Sequence, residues 1–597
     1  MGRVGDLGVT RKSRVSPRRP SVLLRRQRKQ DVRIALALLK EDTSNYGYNS
    51  DDETQRVGGS ADSDTEQELS DDDGHTHVQD SDKDDIIYTG KDGTSLWYSN
   101  PKQAKIEPLA IEPTIPGVNP FARNAKTEIE CWNLFFNDEV LGDILYHTNE
   151  EINSKTYSEH HNTRVHIIKE TSMDEIMALL GLMYITGLNN STGYNLTDLW
   201  RSDGTGVDIF RMTMSLQRFN FLQGCLRFDD AATRAQRSAV DNIALVRDIF
   251  DKFVANCQKV YNPNHFLTLD VKYIPFRGEC PFRQFMPKTS AAYGIKMYSL
   301  VDAKDSYTIN MEINAGNQPD GPYGTSYEPI DIVDRLVRPV SHTGRNITFD
   351  NYFTSIPLVT HLLQEHMLTC TGALRKNKKE IPFSFLTTQP RGVGSSRFGF
   401  QKHMTLVSHV PKKSKIILLL SSYHHDKTFE VKGGDKPKPE IISFYNSTKT
   451  GVENVDRLCK MYDTRNYCKS WPILILFTML NIAGLNSYIV YMANNPNSKL
   501  RRSEYIRKLG LALVKQHLKS RTDKNNLPRE LRKRIFEQVG ETLLDPPASD
   551  VKPYKRCRDC PSSKDRKTKY CCIECKKPIC LQHVITMCQT CTALAID

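Results

Sequence analysis

Eight residues near the end of the sequence have the clearest potential for chemistry. They form four pairs, each enclosing two residues: Cys557 and Cys560, Cys572 and Cys575, Cys580 and His583, and Cys588 and Cys591. A tight turn with this spacing presents two ligands to one tetrahedral ion, so eight ligands predict two Zn²⁺ ions. A histidine in a cysteine's place favours zinc over disulfides. Sequential and interleaved pairing are both sterically possible, and Cys571 falls outside the pattern.

Four acidic residues form a second candidate site, whose chemistry would be phosphodiester cleavage. Asp270 lies in the apolar run FLTLDVKY and Asp350 in NITFDNYF, where a charge is costly unless it has a function. Glu453 and Asp456 are three residues apart and would share one face of a helix. A two-metal nuclease needs converging carboxylates, because Mg²⁺ (or Mn²⁺) requires oxygen ligands. The alternative is that these residues are ordinary turn or cap residues.

The elements that must position these residues follow from apolar periodicity. Spacings of three and four predict helices, and runs rich in β-branched and aromatic residues predict strands. The pattern predicts a multidomain α+β protein whose segments are, in order, a disordered region at 1–115, a helical region at 116–265, an α/β core at 266–372, a β-rich insertion at 373–434, the last part of the core at 435–457, a second helical block at 458–540, a linker at 541–553 and a cysteine-rich zinc domain at 554–597. The most apolar segment, Trp471–Met492, contains Pro, Asn and Ser and is predicted to be a buried helix instead of a membrane span.

Charge and composition favour an anionic partner inside the cell. The 597 residues carry a formal net charge of +12, which is compatible with nucleic acid binding and equally with a merely basic protein. The basic run RKSRVSPRRPSVLLRRQRKQ is either a nuclear localisation signal, a DNA-contacting arm or a solvated tail. The acidic stretch that follows it is poor in large apolar residues, which predicts disorder. Because the cysteines are clustered, metal binding in a reducing compartment is favoured over a secreted disulfide scaffold.

Several segments together resemble the piggyBac transposase family. They include DLWRSDGTGVDIFRMTMSLQRFNFL, FRGECPFRQFMP, YGIKMYSLVDAKD, RNITFDNYFTSIPL, FYNSTKTGVENVD and the ligand spacing of the zinc module. The resemblance implies a split helical dimerisation and DNA-binding domain around an RNase H-like catalytic core with an insertion. It also implies a RING-like cross-brace in which Cys557, Cys560, Cys580 and His583 hold one zinc and Cys572, Cys575, Cys588 and Cys591 hold the other.

The same resemblance implies a function and a set of catalytic residues. Three family aspartates fall on Asp270, Asp350 and Glu453, and Asp456 matches a further family acid. The implied activity is cut-and-paste transposition in the nucleus by a homodimer, which cuts double-stranded DNA at transposon ends through a hairpin and integrates at TTAA. The zinc module there recognises transposon-end DNA.

Three departures from the family pattern favour a diverged or domesticated copy. Glu453 replaces an aspartate, Val271 stands where glutamate is common, and Lys469-Ser470 stands where an arginine precedes the tryptophan. A contrasting hypothesis is therefore a domesticated DNA- or chromatin-binding protein without cutting activity. A ubiquitin ligase built on the zinc module is disfavoured, because it leaves the rest of the chain unexplained.

Overall fold

The structure is a computed structural model that describes eleven segments of the chain. They are residues 67–68, 86–102, 115–158, 167–189, 196–286, 292–431, 437–465, 468–522, 527–540, 555–572 and 575–585. The chain divides into two compact units, Met1–Leu518 and Lys519–Asp597. The predicted linker at 541–553 lies outside the described residues, as does most of the predicted disordered region.

The described residues form fifteen α-helices. They are α1 Glu128–Asn133, α2 Asp138–Ser158, α3 Met173–Leu188, α4 Asp208–Thr213, α5 Leu216–Cys225, α6 Arg234–Ser238, α7 Arg247–Val260, α8 Pro329–Val337, α9 Ile356–Glu365, α10 Phe383–Leu386, α11 Glu440–Thr448, α12 Gly451–Met461, α13 Trp471–Asn494, α14 Arg502–Thr522 and α15 Arg529–Val539. Short 3-10 helices occur at Pro120–Ala122, Leu196–Trp200, Arg338–Val340 and Ser562–Lys564.

The same residues form eighteen strands. They are β1 Gln67–Glu68, β2 Ile87–Thr89, β3 Leu96–Tyr98, β4 Gly117–Val118, β5 Tyr261–Asn262, β6 Phe266–Pro275, β7 Gln284–Phe285, β8 Tyr293–Asp302, β9 Thr308–Ile313, β10 Asn346–Phe349, β11 Thr369–Ala373, β12 Ser396–Gln401, β13 Met404–His409, β14 Lys415–Ser421, β15 Phe429–Glu430, β16 Lys438–Pro439, β17 Lys555–Arg556 and β18 Lys567–Thr568.

A large mixed sheet dominates the first unit. Its strand order is β2-β3-β12-β13-β14-β11-β10-β6-β8-β7, with β9 paired to β8 and β1 paired to β14. The centre is β9-β8-β6-β10-β11, in which β8 is antiparallel to its neighbours β6 and β9, whereas β10 is parallel to both β6 and β11. Strand β6 thus has a parallel neighbour on one side and an antiparallel neighbour on the other, which places it in the interior of the sheet.

The strands of the predicted insertion extend this sheet. Strand β14 pairs antiparallel with the core strand β11, and β13 and β12 follow it outward. The hydrophobic cluster beneath them includes Phe400 and Leu419 from the insertion and Tyr445 from α11. The insertion and the core therefore share one sheet and one packed layer.

Part of the segment predicted to be disordered is ordered, so that prediction was wrong for residues 86–102. Strands β2 and β3 form a hairpin, and Tyr98 pairs with Phe400 at the edge of the sheet. Trp97 is fully buried, and its indole N–H donates to the carbonyl of Glu380 at 2.9 Å. The acidic composition of the whole region conceals this short apolar hairpin, which is stabilised by contacts with residues about 300 positions away.

Helix α13 is the buried helix that the sequence predicted. Among the described residues it alone is long and apolar enough to cross a membrane, but most of its side chains are buried inside the protein. Its Asn486 is fully buried and exchanges two hydrogen bonds with the backbone of Thr308 in β9, at 3.0 and 2.9 Å. These two hydrogen bonds therefore connect α13 to β9 at the edge of the central sheet, and they satisfy the buried amide of Asn486.

Buried contacts between helices far apart in sequence stabilise the helical region. Ser172 caps α3, as the sequence SMDE indicates, but the Glu175 carboxylate turns to the buried Arg218 of α5 at 2.7 Å. Helices α3 and α14 approach closely, because a Cβ on Gly181 would lie 2.8 Å from the carbonyl oxygen of Gly510. The two-residue ladder between β4 and β5 joins the two ends of the first helical stretch.

Candidate active site and metal centre

Asp270 and Asp350 lie side by side on the two central parallel strands. Strands β6 and β10 pair with Leu269 opposite Phe349, so the next register position brings the two aspartates together. Neighbouring strands are about 4.8 Å apart, and residues in register point to the same face. The Asp350 carboxylate accepts a hydrogen bond from the backbone N–H of Tyr352 at 2.9 Å, which fixes its orientation at the end of β10.

Threonines two residues before each aspartate anchor the segment that carries the third carboxylate. The Thr268 hydroxyl donates to the carbonyl of Thr448 at 2.5 Å, and the Thr348 hydroxyl donates to the Thr448 hydroxyl at 2.8 Å. Helix α12 begins three residues later at Gly451, where a Cβ would lie 2.4 Å from Thr268 Oγ1. The start of α12 therefore rests directly on β6, and its first turn carries Glu453.

The charges of the acidic side chains converge on Asp270. Burial and the negative charge of Asp350 raise the pKa of Asp270 to about 7, with smaller contributions from Asp456 and Glu453. Its Oδ1 accepts the backbone N–H of Val271 at 2.7 Å, which opposes this rise. In the part of the chain that the structure describes, Asp270 forms no ion pair with a cationic side chain. The structure thus brings the other three predicted acids within electrostatic reach of Asp270.

Lys272 is a component of the site that the sequence analysis missed. Its Nζ lies 2.7 Å from Asp456 Oδ1, and both side chains are largely buried. Burial, the largest single influence, lowers the pKa of Lys272, but the charge and hydrogen bond of Asp456 together with the nearby Cys459 and Asp463 raise it overall. Strand alternation could have predicted this neighbour, because Lys272 and Asp270 are two residues apart and share one face of β6. Asp456 is thus paired with a lysine, whereas Asp270 and Asp350 lie side by side and Glu453 is exposed at the start of α12.

A divalent cation fits this group of carboxylates by the chemistry of its donors. Every candidate ligand is a carboxylate oxygen, the donor type that Mg²⁺ and Mn²⁺ prefer. Burial and the negative charge of Asp350 raise the pKa of Asp270, so a bound cation would stabilise its charged form. The exposed Glu453 stands on the first turn of α12, and its side chain is one methylene longer than that of aspartate. Asp270, Asp350 and Glu453 are therefore the residues that would hold the ion.

A cleft of about 1490 Å³ opens beyond the end of β6 and is rich in cationic side chains. Its cationic lining residues are Arg227, Arg234, Arg277, Arg465 and Lys469. Asp229 and Glu279 also line it, and Asp229 is neutralised by ion pairs to Arg234 and Arg237. Lys469 and Ser470, where the chain departs from the family pattern, both lie on this wall.

Four predicted zinc ligands come together in the second unit. Cys557, Cys560, Cys580 and His583 place one ligand atom each within 4.8 Å of the others. The Sγ atoms of Cys560 and Cys580 are 3.6 Å apart, and His583 Nδ1 lies 3.5 to 3.7 Å from the three sulfurs. Tetrahedral bonds of about 2.3 Å to sulfur and 2.1 Å to nitrogen give ligand separations of roughly 3.6–3.8 Å, so a zinc ion fits this set. The grouping skips the intervening Cys572 and Cys575, as interleaved pairing requires.

The second predicted zinc set is only partly described. Cys572 is half-buried and Cys575 is exposed, whereas Cys588 and Cys591 lie outside the described residues. Cys571 forms an isolated bridge with Pro578 and does not belong to the cluster of Cys557. A second ion therefore stays a prediction.

Comparison with known proteins identifies the family of the chain. The family model described as "Transposase IS4" matches residues 127–488. The human PiggyBac transposable element-derived protein 3 is 23% identical over 401 residues, which are 63% of this chain and 63% of that protein. The same stretch matches 35% of the human chimeric ERCC6-PGBD3 protein, also at 23% identity. The chain thus spans less than two thirds of the length of these relatives.

A solved structure extends the match. The piggyBac transposase in a synaptic complex with hairpin DNA is 33% identical to this chain and superimposes with a TM-score of 0.68. The match covers 80% of this chain and 100% of that one. On the family model, the relatives and this structure together, the chain belongs to the piggyBac-type transposases.

Proposed function

We propose that this protein is a divalent-metal-dependent DNA transposase that excises an element from double-stranded DNA and joins it to a new site. The observation that carries the proposal is Asp270, a buried carboxylate beside Asp350 whose pKa is raised to about 7 and which has no cationic partner among the described residues. Such a group needs a cation for its charged form to be stable. The strand order β9-β8-β6-β10-β11, with the acids on β6, after β10 and on α12, is the arrangement expected of an RNase H-like core.

In this proposal each carboxylate has a defined task. Asp270, Asp350 and Glu453 would hold two Mg²⁺ (or Mn²⁺) ions, whose chemistry when bound would be to activate water and to stabilise charge on the phosphate. Lys272 holds Asp456, and this ion pair positions α12 against β6. The threonine contacts below the aspartates keep the start of α12, and with it the backbone of Glu453, in place beside β6.

DNA binding is assigned to the cationic cleft beyond β6. Its arginine and lysine side chains would neutralise phosphates, which predicts steeply salt-dependent binding. The resemblance to a transposase in complex with hairpin DNA supports hairpin formation at the transposon ends. Homodimerisation, TTAA target choice, transposon-end recognition by a module with two bound Zn²⁺ ions and a nuclear location complete the proposal, and they rest on the family resemblance.

A donor-plasmid excision assay in cells tests the proposal, using candidate inverted repeats chosen from the DNA that flanks the source gene. The wild-type protein should excise the marked element and leave repaired TTAA, and Asp350→Asn should reduce excision to background. Glu453→Asp should preserve or raise excision, because it restores the usual family acid. Asp320→Asn, which changes an exposed aspartate of a loop, is the matched control and should keep wild-type activity. Excision by Asp350→Asn would refute the site assignment.

The second candidate function is a domesticated DNA-binding protein without cutting activity. Lys272 favours it, because a cation already neutralises one of the four acids in the pocket. Electrophoretic mobility shifts on the same repeats separate the two functions: binding without nicking, at any Mg²⁺ or Mn²⁺ concentration, would identify the second.

A further inference from the structure

A second cluster of metal-ligating side chains lies in the first unit, away from the carboxylate site. It consists of Asp334 on α8, His361 on α9 and His366, which caps the C-terminal end of α9. His366 is largely buried, and the other two are about 70% buried. None of the three is among the residues that the sequence analysis singled out.

The ligand atoms converge on one point. Asp334 Oδ1 lies 3.0 Å from His361 Nε2 and 2.9 Å from His366 Nε2, and all three ligand atoms are within 4.8 Å of one another. A metal at about 2.1 Å from ligands separated by right angles gives neighbouring ligands about 3.0 Å apart. The two separations between the carboxylate oxygen and the histidine nitrogens thus match those of neighbouring ligands around an octahedral ion.

The surroundings orient the ligands as metal sites usually require. The Ser341 hydroxyl lies 2.7 Å from His366 Nδ1, so the other ring nitrogen is the one that faces Asp334. The second carboxylate oxygen of Asp334 accepts from Arg338 Nη2 at 3.0 Å, which leaves Oδ1 for the two imidazoles. The contact of Ser341 with the remote nitrogen of His366 fixes the orientation of that ring, as such hydrogen bonds do for histidine ligands at metal sites.

The position of the cluster suggests what an ion there would do. Helix α8 precedes β10 and helix α9 follows it, and Asp350 comes directly after β10. A metal ion bound by both helices would connect the elements on either side of β10, the strand that Asp350 directly follows. We propose that Asp334, His361 and His366 bind a borderline divalent transition-metal ion such as Zn²⁺, and that this ion has a structural role.

The alternative is a purely hydrogen-bonded cluster in which both imidazoles donate to Asp334. Asp334→Asn distinguishes a metal site from a hydrogen-bonded cluster, because the amide oxygen still accepts both hydrogen bonds but is a poor metal ligand. Full-length wild-type and variant proteins are equilibrated with zinc in excess Mg²⁺ and desalted, and zinc per chain is measured by mass spectrometry. We expect Asp334→Asn to hold one equivalent less than the wild type and to lose part of the zinc-dependent rise in Tm.

Further variants keep the test decisive. His361→Gln should also lose one equivalent, whereas His361→Cys should retain it because a thiolate is a zinc ligand. Asp320→Asn and His147→Gln, which lie outside the cluster, should bind as the wild type does. Equal zinc content in the wild type and in Asp334→Asn would overturn the proposal and leave the hydrogen-bonded cluster. This result is independent of excision, so it can fail without affecting the proposed transposase.

Discussion

The contact between Gly451 and Thr268 gives the most specific prediction about the catalytic geometry. In Gly451→Ala the new Cβ would lie 2.4 Å from Thr268 Oγ1 and 2.8 Å from Thr268 Cβ. Ordinary contacts are about 3.5 Å or longer, so the overlap is roughly 1 Å. Thr268 cannot turn away easily, because it lies on an interior strand and its hydroxyl is bonded to Thr448. Helix α12 must therefore move, and Glu453 moves with it.

The expected magnitudes differ for stability and for activity. Overpacking of this kind costs about 1–3 kcal/mol, and the higher helix propensity of alanine offsets roughly 0.5–1 kcal/mol of that cost. The net loss of unfolding free energy should then be small. A displacement of about 1 Å at a catalytic group can lower the rate roughly 10²-fold. We therefore expect a folded protein whose cleavage rate falls by about two orders of magnitude.

The assay combines two measurements on the same preparations. Cleavage of a labelled transposon end at saturating Mg²⁺ gives the rate, and urea denaturation gives the unfolding free energy. Gly142→Ala is the matched control, because its Cβ would meet nothing within 4 Å on α2. If Gly451→Ala cuts DNA within about threefold of the wild-type rate, the assignment of Glu453 to the metal site through the packing of α12 is refuted.

Three further predictions concern the site charges and the zinc centre. Asp456→Asn leaves Lys272 with an unpaired charge and should cost roughly 3 kcal/mol of unfolding free energy, as urea denaturation can show; no loss would mean that the pair is not stabilising. Without Mg²⁺ the folded protein binds a proton at Asp270 that the unfolded chain releases near pH 4, so stability should fall as pH rises from about 4 to 7 and then level off. Asp270→Asn should remove this fall. Tm measured between pH 4.5 and 8 checks it, and the same pH dependence of Tm in the wild type and in Asp270→Asn would contradict the raised pKa of Asp270. Cys580→Ser should lose one zinc per chain by mass spectrometry while Cys571→Ser loses none, and the reverse result would exclude the Cys557 cluster.

Much of the candidate site could be predicted because its signals are local. The spacing of the cysteines restricts the chemistry to a tetrahedral metal, and an aspartate in an apolar strand is costly unless it has a function. The predicted burial of the segment Trp471–Met492 is confirmed by α13, because a long run of apolar residues interrupted by Pro and Asn packs best inside a protein. The family assignment is confirmed by independent comparisons, whereas the predicted domain boundaries and catalytic roles stay predictions.

Other features depend on contacts between residues far apart in sequence. Spacing alone allowed sequential or interleaved zinc pairs, and the fold brings Cys557 and Cys560 to Cys580 and His583. The N-terminal hairpin is ordered because Trp97 is buried near residue 380, which no local composition could reveal.

The amino-acid sequence by itself determined which groups are available: carboxylates on strands, thiols at metal spacing and a net positive charge. Only the tertiary structure decided which of them share a location and in what electrostatic state. It set Lys272 against Asp456, left Asp270 beside Asp350 with a raised pKa, and brought two histidines to Asp334. The physical reason is that the pKa of a group and its ability to bind a metal depend on neighbours within a few ångströms, and chain folding selects those neighbours from anywhere in the sequence.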